Sequence, residues 1–154
     1  MVGVRIASMN DDELMGAALE QAQKSYDEGG LPIGAVLADK HGNIVARGHN
    51  KRVQNNDPTS HGETDCIRNA GRRRDWHELT LYTTLSPCVM CSGTALLLRI
   101  GRIVIGENQN FMGEEKLLKD RGVDLTVLDH AGCIELMAKF QREKPDVWNE
   151  DIGL

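Results

Sequence analysis

The stretch 79-LTLYTTLSPCVMCSGTALLLR-99 joins a strand-like segment to a helix-like segment. Residues 79–85, "LTLYTTL", are rich in β-branched and aromatic side chains, which favours a strand. Proline is favoured at the first position of a helix because its missing N–H would have no partner there. We therefore expect a helix to open at Pro87 and to run to Gly101. A strand that leads at once into a helix is typical of an α/β protein.

The segments on both sides continue this alternation of strands and helices. Asn10 and Glu13 form a capping-box pattern at the start of a helix that ends at Gly29-Gly30. The apolar runs "IGAVLAD" and "NIVARGHN", joined by "KHG", predict a β-hairpin, and a helix from about His61 to Ala70 follows. After the opening stretch come a strand "RIVIGE", a helix "GEEKLLKDRG", a strand "LTVL" and a helix "AGCIELMAKFQRE" that stops before Pro145. This order predicts a three-layer α/β/α fold, with a mixed five-stranded central sheet covered by helices on both faces.

The length and composition of the chain fit one folded domain. The 154 residues are 40% hydrophobic and 27% charged, and no linker or internal repeat divides residues 1–154. The net charge of -5 argues against a nucleic acid or an anionic membrane as partner. The basic cluster Arg72–Arg74 is followed at once by Asp75 and Glu78, so we interpret it as a solvated helix end.

The N-terminal sequence and the cysteines bear on where the protein works. "MVGVRIASMNDDELM" has neither the basic start and apolar block of a secretory signal nor an apolar run near the roughly 18 residues of a membrane span. We therefore expect a cytosolic protein, in which the four cysteines are reduced. The C-x-x-C pattern of Cys88 and Cys91 then points to metal or redox chemistry, whereas Cys66 and Cys133 are interpreted as buried structural thiols.

His61 and the Cys88–Cys91 pair form a candidate zinc site. His61 and Cys88 are each predicted in the first turn of a helix, and Cys91 lies on the same helix face as Cys88. The positive end of the helix dipole favours thiolates. Zinc prefers thiolate and neutral imidazole ligands, and one His with two Cys leaves the fourth tetrahedral position for water. An open position is typical of a catalytic zinc rather than a structural zinc.

Glu63 lies two residues after His61, in "HGE", and is the candidate proton shuttle. At a helix tip the metal lies beyond the end of the helix, so a ligand and a nearby carboxylate can face the same water. Such a carboxylate accepts a proton from the water and passes it to a departing nitrogen.

Taken singly, each of these motifs has another interpretation. A lone histidine near a helix start is usually a cap or a surface group, and a lone C-x-x-C can be a thioredoxin-like redox pair. A structural zinc site would need a fourth protein ligand, which Cys66 or Cys133 could supply in principle. H-x-E followed by P-C-x-x-C is far more specific than either half, and it is the signature of zinc-dependent base deaminases.

The chain resembles the cytidine deaminase superfamily, and within it the yeast-type cytosine deaminases, over nearly its whole length. The resemblance lies in "EGGLPIGAVL", "RGHN", "HGE", "LYTTLSPCVMC", "GENQNF" and "WNEDIG". It implies a cytidine deaminase-like fold, one Zn²⁺ per chain, a homodimer and a small nucleobase as substrate. The implied reaction is the zinc-dependent hydrolytic deamination of free cytosine to uracil and ammonia, a step of pyrimidine salvage.

The resemblance also implies a substrate pocket. Asn50 would hold the polar edge of the base, and the backbone N–H of Gly62 would bind its exocyclic oxygen. Asp151 would accept a hydrogen bond from a ring or amino N–H, and the C-terminal segment 145–154 would form a lid. The remaining lid and wall residues would be Phe111, Trp148, Ile152, Ile33, Leu85 and Ser86.

Departures from the family pattern leave the substrate open. Val53 stands where the family tends to have a larger aromatic side chain near the pocket, so isocytosine, guanine or creatinine are alternatives that would use the same zinc and glutamate. Deaminases that act on tRNA adenosine more often carry alanine between the His and the Glu and are typically basic. Gly62 and the net charge of -5 argue against that branch. A non-catalytic zinc module, in which Glu63 has no role, is the last alternative.

Overall fold

The strands and helices of the computed structural model, which describes residues 9–154, follow the order expected from the sequence. The strands are β1 (Gly34–Ala38), β2 (Ile44–His49), β3 (Thr80–Thr83), β4 (Arg102–Ile105) and β5 (Asp124–Val127). The helices are α1 (Asp11–Asp27), α2 (Gly62–Ala70), α3 (Val89–Leu98), α4 (Glu115–Asp120), α5 (Ala131–Glu143) and α6 (Pro145–Asp151), with a short 3-10 helix at Trp76–Glu78. None of the helices in the described residues is long and apolar enough to span a membrane.

The five strands form one mixed sheet in the order β2-β1-β3-β4-β5. β1 pairs antiparallel with β2 and with β3, whereas the pairs β3–β4 and β4–β5 are parallel. Parallel neighbours need a crossover connection, which α3 and α4 provide. The mixed five-stranded sheet is therefore confirmed.

Side chains alternate between the two faces of this sheet. On one face Leu81 and Ile103 pack against α2, α3 and α4. On the other face Tyr82 and Val104 pack against α1 and α5. Successive side chains of β3 and β4 therefore pack alternately in the two cores. The three-layer α/β/α architecture is confirmed.

Cys66 and Cys133 lie one in each of these cores, as the sequence predicted. They are free thiols, 0% and 3% exposed. Burial raises the pKa of both thiols, that of Cys133 to about 12. A thiol that stays protonated at neutral pH inside an apolar core is a packing residue rather than a ligand.

The start and the end of α3 differ from the prediction. Cys88 is the N-cap of α3 and Val89 is the first helical residue, so Pro87 precedes the cap instead of opening the helix. Arg99 ends the helix in the left-handed conformation, with φ 63°, so the helix does not reach Gly101. An N-cap residue keeps an extended backbone, and for Cys88 this directs the side chain past the end of the helix.

The N-caps of α1 and α2 have similar geometry. The Asn10 side chain accepts a hydrogen bond from the backbone N–H of Glu13 at 2.9 Å, as predicted. His61 is the extended N-cap of α2 and not a first-turn residue. The first helical residue of α2 is therefore Gly62.

The C-terminal segment forms α6, a helix that the sequence analysis did not predict. α5 ends at Glu143, before Pro145, as the sequence predicts, and Pro145 then occupies the start of α6, where its missing N–H has no cost. Trp148 of α6 is buried in a cluster with Leu31, Ile33 and Phe140. This packing places the C-terminal end of α6 beside the starts of α2 and α3.

Candidate active site

The N-terminal ends of α2 and α3 bring His61, Cys88 and Cys91 together. The Nδ1 atom of His61 lies 3.5 Å from Cys88 Sγ and 3.7 Å from Cys91 Sγ. The three donor atoms lie within 4.8 Å of one another, and they are the one such cluster found in residues 9–154. Within this part of the chain, Cys66 and Cys133 are not part of the cluster, so neither supplies the fourth protein ligand that a structural zinc site would need.

The donor set and its spacing fit zinc. Zinc–nitrogen bonds of about 2.0–2.1 Å and zinc–sulfur bonds of about 2.3 Å, at tetrahedral angles, separate nitrogen from sulfur by about 3.5 Å. The two His61–cysteine distances match this separation. One imidazole and two thiolates fill three of the four positions, which leaves room for a water or a substrate atom.

Neighbouring groups shift the pKa values of the three donors. Burial lowers the pKa of His61, but the hydrogen bond with Cys88 and the charge of Asp151 outweigh burial and raise that pKa to about 9. The hydrogen bond from the Cys91 thiol lowers the pKa of Cys88 to about 4. The same bond, together with burial, raises the pKa of Cys91. The protein's own charges therefore favour a Cys88 thiolate beside a His61 imidazolium.

Asp151 lies against the second nitrogen of the histidine ring. Its Oδ1 atom is 3.3 Å from His61 Nε2 and 3.5 Å from Arg52 Nε, and the side chain is 5% exposed. A carboxylate on the far nitrogen of a metal-binding histidine fixes which nitrogen faces the metal. The same Oδ1 makes no aligned hydrogen bond, so it keeps its acceptor capacity. Burial raises the pKa of Asp151, while His61 and Arg52 act in the opposite direction.

Glu63 is buried in the first turn of α2, 4% exposed, and lines the same cavity as His61 and Cys88. Its Oε1 atom accepts a hydrogen bond from Thr83 Oγ1 at 2.5 Å. The carboxylate is therefore held to the central sheet while it faces the candidate metal ligands.

The cavity in front of these residues has a volume of about 500 Å³. Of the predicted wall and lid residues, the structure places Ile33, Leu85, Ser86, Phe111, Trp148, Asp151 and Ile152 in its lining. The rings of Phe111 and Trp148 meet edge to face, with centroids 5.7 Å apart. Seven of the nine predicted substrate-pocket residues thus line one cavity together with His61, Glu63 and Cys88.

Asn50 and Gly62 lie behind the lining of the cavity. Asn50 is fully buried, and its Oδ1 accepts a hydrogen bond from the backbone N–H of Arg52, whereas its Nδ2 has no partner. An unpartnered buried amide is costly unless a ligand satisfies it. A Cβ atom at Gly62 would lie 3.0 Å from the carbonyl oxygen of Ile33, so the tight backbone there favours glycine.

One of the sequence-based expectations needs correction. Val53 is 46% exposed and does not line the cavity, because it lies on the outer side of the loop after β2. It therefore gives no reason to expect a looser pocket. Ser86 lines the wall, but its hydroxyl is already used: it donates to Glu115 Oε2 at 2.6 Å and accepts from the N–H of Gly113 at 2.9 Å.

Two charged residues at this site were missed from the sequence. Arg52 reaches Glu150 Oε1 at 2.8 Å and Asp151 at 3.5 Å, and so ties the loop after β2 to α6. Glu115 is buried and holds Ser86 from the start of α4. The partners are 29 to 99 residues apart along the chain, so no local spacing could have revealed them.

Residues 8–107 match the family model of the cytidine and deoxycytidylate deaminase zinc-binding region. The fold and the His–Cys–Cys site are those of a zinc-binding deaminase, and the chain belongs to this family. It is 47% identical over 148 residues to the cytosine deaminase of Candida albicans, with 95% of this chain and 99% of that protein covered.

Other similar proteins are named as tRNA deaminases. The tRNA-specific adenosine deaminase of Haemophilus influenzae is 40% identical over 109 residues, which cover 69% of this chain and 63% of that protein. A solved structure from a study of A-to-I editing by tRNA:A34 deaminases superposes with a TM-score of 0.69 at 28% identity, covering 81% of this chain and 99% of that chain. The superposed structure shares the fold, and both matches cover less of this chain than the cytosine deaminase does.

Zinc uptake by chelator-treated protein should strengthen as the pH rises. At neutral pH His61, with a pKa of about 9, and Cys91, with a raised pKa, both carry protons that the metal displaces. Because both pKa values lie above pH 7, the loss of two protons predicts a gain in affinity of about a hundredfold per pH unit from about pH 6 to 8. Competition titrations against a chelator of known pH dependence measure this slope.

The matched control is Cys133→Ala, which removes a buried thiol outside the cluster and should leave the slope unchanged. An affinity that does not vary with pH would show that His61 and Cys91 carry no displaceable protons.

Proposed function

We propose that the protein catalyses the hydrolytic deamination of free cytosine to uracil and ammonia, with one Zn²⁺ per chain held by His61, Cys88 and Cys91. The observation that carries this proposal is the position of Glu63, a buried carboxylate in the wall of the cavity that contains the three candidate ligands. The match of 47% identity across nearly the full length of a cytosine deaminase supports cytosine as the base.

Glu63 is the proton shuttle of the proposed reaction. When bound, zinc supplies a Lewis acid that lowers the pKa of a water in the open position. The Glu63 carboxylate accepts a proton from the attacking water and delivers it to the ring nitrogen beside the carbon under attack. Glu63 then takes the remaining proton from the hydroxyl on that carbon and passes it to the amino group, so that the C–N bond breaks, ammonia leaves as a neutral molecule and the hydroxyl oxygen becomes the carbonyl oxygen of uracil. Water and cytosine are thereby converted to uracil and ammonia with no external oxidant or reductant.

The polar edge of the base is proposed to face Asn50, the Gly62 N–H and Asp151. The free Nδ2 of Asn50 donates to a ring acceptor, and the Gly62 N–H donates to the exocyclic oxygen. The Oδ1 atom of Asp151 has unused acceptor capacity and takes an amino or ring N–H. A flat neutral ring with both donors and acceptors on its edge satisfies all three groups.

The base preference can be measured directly. Release of ammonia is followed from cytosine, isocytosine, guanine, creatinine, cytidine and an adenosine-containing tRNA, with zinc-loaded protein. Cytosine should be the best substrate, and Glu63→Ala should lower kcat at least about a hundredfold at unchanged zinc content, because general acid–base catalysis contributes about 10²–10⁴-fold.

Either of two other results would count against the proposal. A different best substrate would overturn the assignment of the base edge to Asn50 and Asp151. A fully active Glu63→Ala variant would contradict the proton shuttle. Glu114→Ala is the matched control, since Glu114 lines the outer part of the cavity and lies outside the metal cluster.

We also propose that the protein works in the cytosol on the free base and binds no nucleic acid. The net charge of -5 opposes a phosphate backbone, and reduced thiolates require a reducing compartment. The Phe111–Trp148 cover lies over the cavity that a tRNA deaminase would have to open to an extruded nucleotide. The tRNA arm of the substrate panel tests this point, since deamination of tRNA at a rate comparable with that of cytosine would contradict it.

Residues 145–154 are proposed to act as a lid on a single domain. Trp148 and Ile152 cover the cavity, and Arg52 holds α6 through Glu150 and Asp151. If product leaves past this cover, movement of α6 is a step that can limit turnover.

The lid predicts a rate that depends on solvent viscosity. For the wild type, kcat should fall as sucrose raises the viscosity, because product release requires α6 to move. Arg52→Gln removes a partly exposed ion pair with Glu150, worth about 0.2–1 kcal/mol, so product release should speed up by up to about fivefold and the viscosity effect should shrink. Arg142→Gln, the same change on the exposed side of α5, is the control. An identical viscosity effect in wild type and Arg52→Gln would contradict the proposal that Arg52 holds α6 over the cavity.

We propose a homodimer. Val89 and Leu97 of α3 are 65% and 81% exposed, and Met112 at the mouth of the cavity is 59% exposed. Val89 and Leu97 lie eight residues apart on the same helix, and exposed large apolar side chains along one helix are typical of an interface. Light scattering should give a mass near twice 17.0 kDa, and Leu97→Asp should shift the protein toward the monomer. A wild-type protein that runs as a monomer at micromolar concentration would refute the dimer.

A further inference from the structure

Thr83, at the carboxyl end of β3, makes a side-chain hydrogen bond to the proposed proton shuttle. Its Oγ1 atom donates a hydrogen bond to Glu63 Oε1 at 2.5 Å, and the residue is 0% exposed. The same Oγ1 lies 3.1 Å from the carbonyl oxygen of Leu85. A hydroxyl has one hydrogen to give, so these two oxygens compete for it.

The charge on the acceptor decides this competition. A hydrogen bond to a carboxylate is roughly twice as strong as one to a neutral carbonyl, and the shorter contact is the one with Glu63. Thr83 therefore directs its hydrogen at Oε1 of Glu63. One carboxylate oxygen is anchored, and the side chain loses the freedom to rotate.

The anchor is itself rigid. Thr83 pairs with Ala35 of β1 on one side and with Ile105 of β4 on the other, so its backbone lies in the middle of the sheet. Threonine is also stiff at χ1, because it carries two heavy atoms on Cβ. The hydroxyl thus fixes the position of the Glu63 carboxylate, which belongs to α2, relative to the central sheet.

We propose that Thr83 is a positioning residue, which holds the Glu63 carboxylate in the orientation needed for proton transfer to the base. This inference rests on the proposed function, because it assigns a role to Thr83 only if Glu63 shuttles protons. Proton transfer needs heavy-atom distances of about 2.6–3.2 Å, and a misplacement of about 1 Å can cost a factor of about 10² in rate. A carboxylate released from Thr83 would sample several rotamers, most of them outside that range.

Thr83→Val tests the role of the hydroxyl, since valine has nearly the same shape without the O–H. The expected result is a fall in kcat of about 10–100-fold, with KM within about twofold of wild type and an unchanged zinc content. Thr83→Ser restores the hydroxyl and should recover kcat to within about threefold of wild type. A purely structural role would instead lower the melting temperature and leave kcat per folded, zinc-loaded molecule unchanged.

Thr84→Val is the matched control, because Thr84 is a neighbouring buried threonine whose hydroxyl accepts a hydrogen bond from the Gly34 N–H at 3.1 Å and does not contact Glu63. It removes a buried hydroxyl at the same end of β3 and should leave kcat within about twofold of wild type. If Thr83→Val does not fold, Thr83→Ala takes its place against Thr83→Ser. Equal kcat values for the valine or alanine variant and the wild type would overturn the inference.

Glu63→Gln separates this inference from the function on which it rests. If Glu63→Gln is inactive on cytosine and Thr83→Val retains full activity, only the role of Thr83 is lost. If Glu63→Gln retains full activity, the proton shuttle is wrong, and the role of Thr83 falls with it.

Discussion

The structure depends on the meeting of two helix N-termini at one point. His61 caps α2 and Cys88 caps α3, and both residues keep the extended backbone that sends a side chain past the helix end. The sheet order makes the meeting possible: β2 and β3 both flank β1, so the helices that follow them start close together. Two helix dipoles point their positive ends at this place, which favours the Cys88 thiolate. The donor atoms end within 4.8 Å of one another, at the spacing that zinc requires.

The rest of the site is built outward from this centre. Glu63 lies in the first turn of α2 and is fastened to the central strand β3. Asp151 comes from the last turn of α6 and meets the far nitrogen of His61. The C-terminal helix therefore brings both a carboxylate and apolar side chains to the cavity.

Much of this could be predicted from the sequence, for identifiable physical reasons. The strands and helices follow from period-2 and period-3.6 patterns, and H-x-E with P-C-x-x-C identifies the donors because zinc accepts few combinations of ligands. The interactions that could not be predicted are long-range. Pro145 correctly predicts the stop of α5, but proline also begins helices, and the helix α6 that it opens is stabilised by the burial of Trp148 in a distant cluster. Arg52 and Thr83 meet their partners 99 and 20 residues away, through the tertiary fold alone.

The most direct test of the account is X-ray absorption spectroscopy at the zinc edge of the purified, metal-loaded protein. We expect one zinc per chain with two sulfur ligands at about 2.3 Å, one imidazole nitrogen and one further light atom at about 2.0–2.1 Å. Addition of a slow substrate or of the product should change the light-atom shell and leave the sulfur shell intact. A site with three or four sulfur ligands, or protein that binds no stoichiometric zinc, would contradict the central claim that the caps of α2 and α3 form a catalytic metal centre.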